Sequence, residues 1–213
     1  MRILLCRHGE TPWNAEGRYQ GQTDTPLSPQ GESQARALGE RLKDQPITRA
    51  VASPLSRAYR TAELALGERS AMLTTDPGLL EIAHGAWEGL LATEIAAGDG
   101  VRFRDWREAP ESVQMPGGEN LHELLARAWP ALERACMGLG AEDVLLLMAH
   151  DAVNRVLLCR ILGIPLSRVW GFRQAPATLN LLEGTDPDHL EVVRLNDAAH
   201  VAGLFGEAVH RAL

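Results

Sequence analysis

Val144-Leu145-Leu146-Leu147-Met148-Ala149-His150-Asp151 carries six apolar residues straight into a histidine and an aspartate. An unbroken apolar run ended by polar residues predicts a strand over 144–148 that is buried on both faces, as in a parallel sheet. A helix follows, carrying Val153, Val156, Leu157 and Leu162 and stopped by Gly163 and Pro165. The same pattern occurs twice upstream. Residues 3–6 run into Arg7-His8-Gly9, and residues 50–53 run into Pro54, which opens a helix marked on one face by Ala58, Ala62 and Ala65. Between these two units, Ser28-Pro29 offers an N-cap and a first-turn proline to a helix with Ala35, Leu38 and Leu42 at helical spacing.

The remainder extends this pattern. Residues 72–75 read as a third strand and 87–140 as mostly helical, with Pro130 expected to break or kink the helix that carries Leu121, Leu124, Leu125 and Leu132. Residues 179–182 and 190–193 read as two final strands around a turn at Asp186-Pro187. This order predicts one α/β domain over residues 1–213, a mostly parallel sheet with helices on both faces. Sites in such folds lie at the carboxyl ends of the strands. Arg7-His8, Ser53 and His150 all stand at such ends, so the sequence itself puts them near one another.

Composition narrows the function. A chain of 213 residues with 45% hydrophobic and 23% charged residues is ordinary for a globular domain. Its formal net charge of −7 argues against nucleic acid as a partner, because a basic face supplies most of that affinity. An anion must instead be held by a local cluster of cations set against the global charge. Cys6, Cys136 and Cys159 form no CxxC pair and lie in apolar stretches, which reads as packed, reduced thiols in a cytoplasmic protein. The apolar run after Met1-Arg2 is too short for a signal peptide, and no run approaches the roughly 20 residues of a membrane span.

Four segments carry chemistry. In Arg7-His8-Gly9-Glu10-Thr11, a neutral imidazole can attack phosphorus, an adjacent guanidinium can hold the phosphoryl group, and Gly9 leaves room for phosphate to approach backbone. Arg57, in the first turn of its helix, is a second candidate phosphate ligand beside a helix N-terminus. His150 can hydrogen-bond a phosphoryl oxygen, and Asp151 is placed to cap the helix behind it. In Glu81-Ile82-Ala83-His84, a half-buried carboxyl supplies the general acid that an alkoxide leaving group needs, and His84 faces the substrate one turn on. Taken singly, each has a plain structural reading: a strand cap, a surface arginine, a capping pair, a solvated loop carboxylate. No metal-ligand spacing is present, and no metal or cofactor is expected.

Together and in order, these segments resemble the histidine phosphatase, or phosphoglycerate-mutase-like, superfamily. The similar stretches are LCRHGETPWN (5–14), GRYQGQTDTPLSPQGESQA (17–35), SPLSRAYRTAE (53–63), LLEIAHGAWEGL (79–90), MPGGENLHELLARA (115–128) and LLLMAHDAVNR (145–155). The resemblance implies that His8 is the phosphorylated nucleophile and Glu81 the proton donor and then the base. It implies that Arg7, Arg57 and His150 hold the phosphoryl group, and that Asn14, Gln20 and Gly21 help line the pocket. Asp151 departs from the pattern, since many relatives have glycine there. Its expected role is the helix cap, with its backbone N–H left for the ligand.

Within the family, the stretches EIAHGAWEGL (81–90), FRDWREAP (103–110), LGIPLSRVWGF (162–172) and LNDAAHVAGLFGEAVHRAL (195–213) are most similar to bacterial metal-independent phosphoserine phosphatases. That similarity implies a small phosphate ester such as L-phosphoserine as substrate, with His84 and His200 as candidates for the amino-acid end, and a homodimer. A phosphoglycerate mutase, a phosphatase for α-ribazole phosphate or a sugar-acid phosphate, and a non-catalytic phospho-ligand binder remain as other readings.

Overall fold

The computed structural model describes residues 1–201. Its centre is a six-stranded sheet: β1 (Arg2–Arg7), β2 (Ile47–Ala52), β3 (Leu73–Thr75), β4 (Val144–Ala149), β5 (Leu179–Gly184) and β6 (Leu190–Asp197). The lateral order is β3-β2-β4-β1-β5-β6. β1, β2, β3 and β4 pair in parallel, whereas β5 and β6 add an antiparallel flank beside β1.

The apolar runs are continuous because both faces are covered. Leu145, Leu147 and Ala149 of β4 face one core with Ile3 and Leu5 of β1. Leu146 and Met148 face the other with Leu4 and Cys6. The first core is closed by α6 (Leu121–Cys136) and α7 (Asp151–Ile161), the second by α2 (Pro29–Leu42) and α3 (Ser56–Leu66). Ser28 caps α2 through the Gly31 N–H, with Pro29 in the first turn as expected. Short helices α1 (Pro12–Glu16), α4 (Ala92–Gly98) and α5 (Gly100–Glu108) sit on the connections.

Two local expectations, at Pro130 and at Pro54, are revised. α6 runs unbroken through Pro130. The N–H that proline lacks would have bonded the carbonyl of Ala126, an exposed residue, and burial of Leu124, Ala128, Trp129, Ala131 and Leu132 along one face outweighs that one bond. The stretch 87–140 is mostly helical as expected, in α4, α5, α6 and a short turn at Pro110–Ser112, with the loop 113–120 before α6. The helix after β2 begins at Ser56, with Ser53-Pro54-Leu55 forming the turn into it. All three cysteines are buried and free, and burial pushes each thiol above its ordinary range.

Candidate active site

The ends of β1 and β4 place two histidines side by side. β1 and β4 are in register to Arg7 and Ala149, and the His8 N–H then donates to the Ala149 carbonyl at 3.1 Å. The imidazoles of His8 and His150 stand edge to face with centroids 5.1 Å apart. His8 Nδ1 lies 2.6 Å from the Gly9 carbonyl oxygen. A carbonyl can only accept, so Nδ1 carries the hydrogen and the neutral ring has its nucleophilic lone pair on Nε2.

Two buried guanidiniums flank it. Arg7 is 1% exposed and donates through Nη1 to the Gln174 carbonyl; Arg57 is equally buried and donates to the carbonyls of Thr23 (3.0 Å) and Gly21 (2.7 Å). The Nε of each has no hydrogen-bond partner among the described residues. Burial lowers both pKa values, that of Arg57 to about 10, which leaves Arg57 charged at neutral pH. Carboxyl groups nearby offset part of this desolvation, Asp151 and Glu81 for Arg7 and Glu81, Asp24 and Glu88 for Arg57, and a bound anion would offset more.

Glu81 faces them from the other side. Its carboxyl receives the N–H groups of Ile82 (3.0 Å), Ala152 (3.3 Å) and Val153 (3.4 Å). Burial, followed by the nearby negative charge of Asp151, raises its pKa above the carboxylate range, while the N–H bonds and Arg57 pull the other way. The shift is in the direction that a proton donor requires. Arg127 fixes the backbone beneath it, donating to the carbonyls of Gly78 (3.0 Å), Leu80 (2.5 Å) and Glu81 (2.8 Å) while paired with Glu119.

Arg7, His8, Asn14, Gln20, Gly21, Arg57, Glu81, His84 and Asp151 all line one cavity of about 40 Å³, room for a compact anion. Asn14 is held by a capping box with Thr11, and Gln20 accepts from the hydroxyls of Thr11 and Thr25. Gly21 has φ of +57°, and a Cβ there would meet the Glu88 carboxylate at 2.1 Å. His84 is buried with Nδ1 unpartnered among the described residues, and burial drives its pKa down to about 4, so it is neutral at pH 7.

Other expected placements are kept in part. His150 is fully buried edge to face with His8; its Nε2 lies 2.7 Å from the Ser53 hydroxyl, and its Nδ1 has no hydrogen-bond partner among the described residues, which is compatible with the expected phosphoryl contact. Asp151 does not cap α7. The N-cap is His150, the side chain at the helix end is that of Glu81, and the Asp151 carboxylate instead accepts from Arg155 Nε at 2.8 Å. Gly9 is needed for packing: a Cβ there would lie 2.5 Å from the Gly31 carbonyl of α2. His200 donates to or accepts from no site residue; its Nε2 lies 2.9 Å from the Ala177 carbonyl. Residues 202–213 of the C-terminal segment lie outside the described residues.

The sequence reading missed the aromatic wall. Tyr19, Trp106 and Trp170 line the cavity beyond His84, linked edge to face: Tyr19–His84 at 5.0 Å, His84–Trp106 at 5.9 Å and Trp106–Trp170 at 5.0 Å. It also missed Glu88, which accepts the N–H groups of Gln22, Thr23 and His84 and so ties the 20–23 loop to the Glu81 segment. The signal available was the apolar and aromatic content of 84–91 and 103–110.

The arrangement can bind a phosphoryl group, attack it in line with a neutral imidazole and protonate what leaves. Among the described residues, no group of three or more His, Cys, Asp or Glu is placed to hold a metal ion, and no helix is long and apolar enough to cross a membrane. Over its full length the chain is 32% identical, across 214 residues, to Phosphoserine phosphatase 1 of Hydrogenobacter thermophilus, with all of both chains covered. It is 36% identical over 169 residues to a probable phosphoglycerate mutase of Erwinia tasmaniensis, covering 78% of this chain and 76% of that one. YhfR of Bacillus stearothermophilus superposes with a TM-score of 0.87 at 30% identity, covering 94% of this chain and 98% of the other. The family model of the histidine phosphatase superfamily, branch 1, matches residues 3–198, and the chain belongs to that family.

Proposed function

We propose that this protein is a metal-independent phosphomonoester hydrolase that works through a phosphohistidine on His8, with L-phosphoserine the first substrate to test. The observation that carries the reading is the bond from His8 Nδ1 to the Gly9 carbonyl, which fixes the tautomer with the lone pair on Nε2, in a cavity that His8 shares with the buried Arg7 and Arg57. In the first step Nε2 forms a bond to phosphorus as the ester P–O bond breaks. The carboxyl proton of Glu81 passes to the departing alkoxide, so the product leaves as an alcohol. In the second step the Glu81 carboxylate takes a proton from water, whose oxygen displaces the imidazole and releases phosphate. Arg7 and Arg57 bind the phosphoryl oxygens, and Asn14, Gln20 and the Gly21 backbone complete the cradle. His150, whose Nδ1 has no partner among the described residues, joins them at the phosphoryl group, and His84 meets the leaving group.

The likeness to a probable mutase supports a second reading, in which the phosphoenzyme returns its phosphate to substrate. One experiment separates the two: phosphate release in excess chelator from L-phosphoserine, 3-phosphoglycerate, sugar phosphates and p-nitrophenyl phosphate. Strong preference for L-phosphoserine supports the serine assignment. Slow, even release keeps the histidine chemistry and removes that assignment, and loss of all release in chelator defeats the metal-independent mechanism. Three buried, unpaired thiols support a cytoplasmic setting, and family likeness supports a homodimer, which sedimentation equilibrium tests.

A further inference from the structure

Which nitrogen of His8 keeps its lone pair is decided next door, by which end of the Gly9–Glu10 peptide faces the imidazole. We propose that Gln34, on α2, is a positioning residue that keeps the carbonyl end there and so holds His8 in its nucleophilic tautomer. The inference rests on the phosphatase reading and concerns how that site readies its nucleophile.

The Gly9 carbonyl oxygen lies 2.6 Å from His8 Nδ1. In a planar trans peptide the carbonyl and the following N–H point in opposite directions. The Glu10 N–H therefore points away from the ring, and it donates to Gln34 Oε1 at 2.8 Å. Gln34 thus grips the far end of the same rigid plate. Were the plate to turn over, an N–H would face Nδ1, and the ring could meet it only with a lone pair. The hydrogen would then sit on Nε2, which would lose the electron pair that attacks phosphorus.

The neighbouring peptides are held separately. The His8 N–H donates to the Ala149 carbonyl at 3.1 Å. The Gly9 N–H donates to Thr61 Oγ1 at 3.0 Å, and the Thr61 hydroxyl donates to the Arg57 carbonyl at 2.7 Å. Beyond the plate, the Glu10 carbonyl accepts the Ser28 N–H at 2.9 Å. None of these bonds involves the Gly9 carbonyl or the Glu10 N–H. Gly9 adds no side chain to hinder a turn, and a Cβ there would lie 2.5 Å from the Gly31 carbonyl. Gln34 can serve as the anchor because its own helix is fixed: Ala35 and Leu38 are fully buried.

Two substitutions separate this role from a merely structural one. Gln34→Met removes the acceptor at nearly the same length, and Gln34→Glu keeps an oxygen for the Glu10 N–H. In protein carrying nitrogen-labelled histidine, NMR at pH 8 reports which nitrogen of the His8 ring bears the hydrogen, the His8 signals being those lost in His8→Ala. The unmodified protein should bear it on Nδ1. In Gln34→Met a share should move to Nε2, with kcat lowered by about tenfold or more and the inhibition constant for phosphate kept within about twofold. Gln34→Glu should keep the parental tautomer and most of kcat. The parental tautomer in Gln34→Met overturns the proposal, whatever its kcat or melting temperature, and so does a Gln34→Glu protein that shifts as much as Gln34→Met. If Gln34→Met does not melt cooperatively, Gln34→Ala takes its place, since alanine suits a helix interior and also lacks the acceptor. The phosphatase reading is decided separately, by trapping phosphohistidine on His8 of the unmodified protein. Its presence keeps that reading even where the tautomer result overturns the role of Gln34, and its absence removes the reading itself.

Discussion

Glu81 Oε2 lies 3.3 Å from the backbone nitrogen of Ala152, so a loop carboxyl 71 positions away does the capping that α7 does not get from its own N-cap, His150. One side chain thus closes a helix end and faces the reaction. Glu81→Gln keeps an oxygen for those N–H groups but cannot give up a proton to an alkoxide. It should slow ester hydrolysis by about a hundredfold to ten-thousandfold while the inhibition constant for inorganic phosphate changes much less. Equal losses in both would assign Glu81 a purely structural role.

The same residue makes a stability prediction of opposite sense. Its folded pKa is raised, so its contribution is fully present below the ordinary carboxylate pKa and is lost as pH rises through the raised value. Glu81→Gln, which has nothing to ionise, should match or exceed the unmodified protein in melting temperature at pH 8. A variant clearly less stable at pH 8 than at pH 5, relative to the parent, would contradict this.

His8→Ala should lower turnover by about 10⁴-fold or more, while circular dichroism and the melting transition stay near those of the parent. The β1–β4 ladder and the His8 backbone bond to Ala149 do not depend on the imidazole. Residual activity near the parental level would mean that another group is phosphorylated.

His84 gives a pH dependence on the acid side. Its folded pKa is depressed from 6.5 to about 4, so the stability that this shift contributes is present above pH 6.5 and lost as pH falls through 4. Between those values the parent should lose on the order of 3 kcal/mol that His84→Asn does not lose. Denaturant melts of both proteins at pH 7 and pH 4 measure the difference, and parallel curves would show that the ring is solvated.

Arg127 is a positioning residue, gripping three carbonyls around Glu81 without lining the cavity. Arg127→Met should lower kcat by about tenfold to a hundredfold with KM nearly kept, and should move the alkaline limb of the pH–rate profile. Arg127→Lys should restore only part, since an ammonium cannot span a fork of carbonyls. A fall in melting temperature with kcat and the pH profile intact would limit Arg127 to the fold.

Much of this was legible in the sequence, for a physical reason. Strands buried on both faces show as unbroken apolar runs, so β1, β2 and β4 and the polar residues at their ends could be read directly. Arg7, His8, Asn14, Gln20, Gly21, Arg57, Glu81, His84 and Asp151 do converge on one cavity. What escaped depends on tertiary packing. The passage of α6 through Pro130 reflects buried surface, which local propensity does not record. Tyr19, Trp106 and Trp170 come from three separate segments, and no spacing rule joins them. The Asp151–Arg155 pair did carry a signal, an acid and a base four apart on a helix, but an available capping position pointed elsewhere.

The interval between His8 and His150 is close to the lateral repeat of a β-sheet, about 4.8 Å between neighbouring strands. The distance is therefore set by backbone hydrogen bonds in the most deeply packed part of the molecule, as a ruler built into the lattice of the fold. The surfaces that meet a leaving group belong to other parts: the loop after α1, the segment from 84 onward, α5, and the short helix Leu166–Gly171. Such a division makes substrate choice interchangeable. A family built this way can trade one leaving-group wall for another through substitutions at Tyr19, His84, Trp106 or Trp170, with no retuning of the histidine pair.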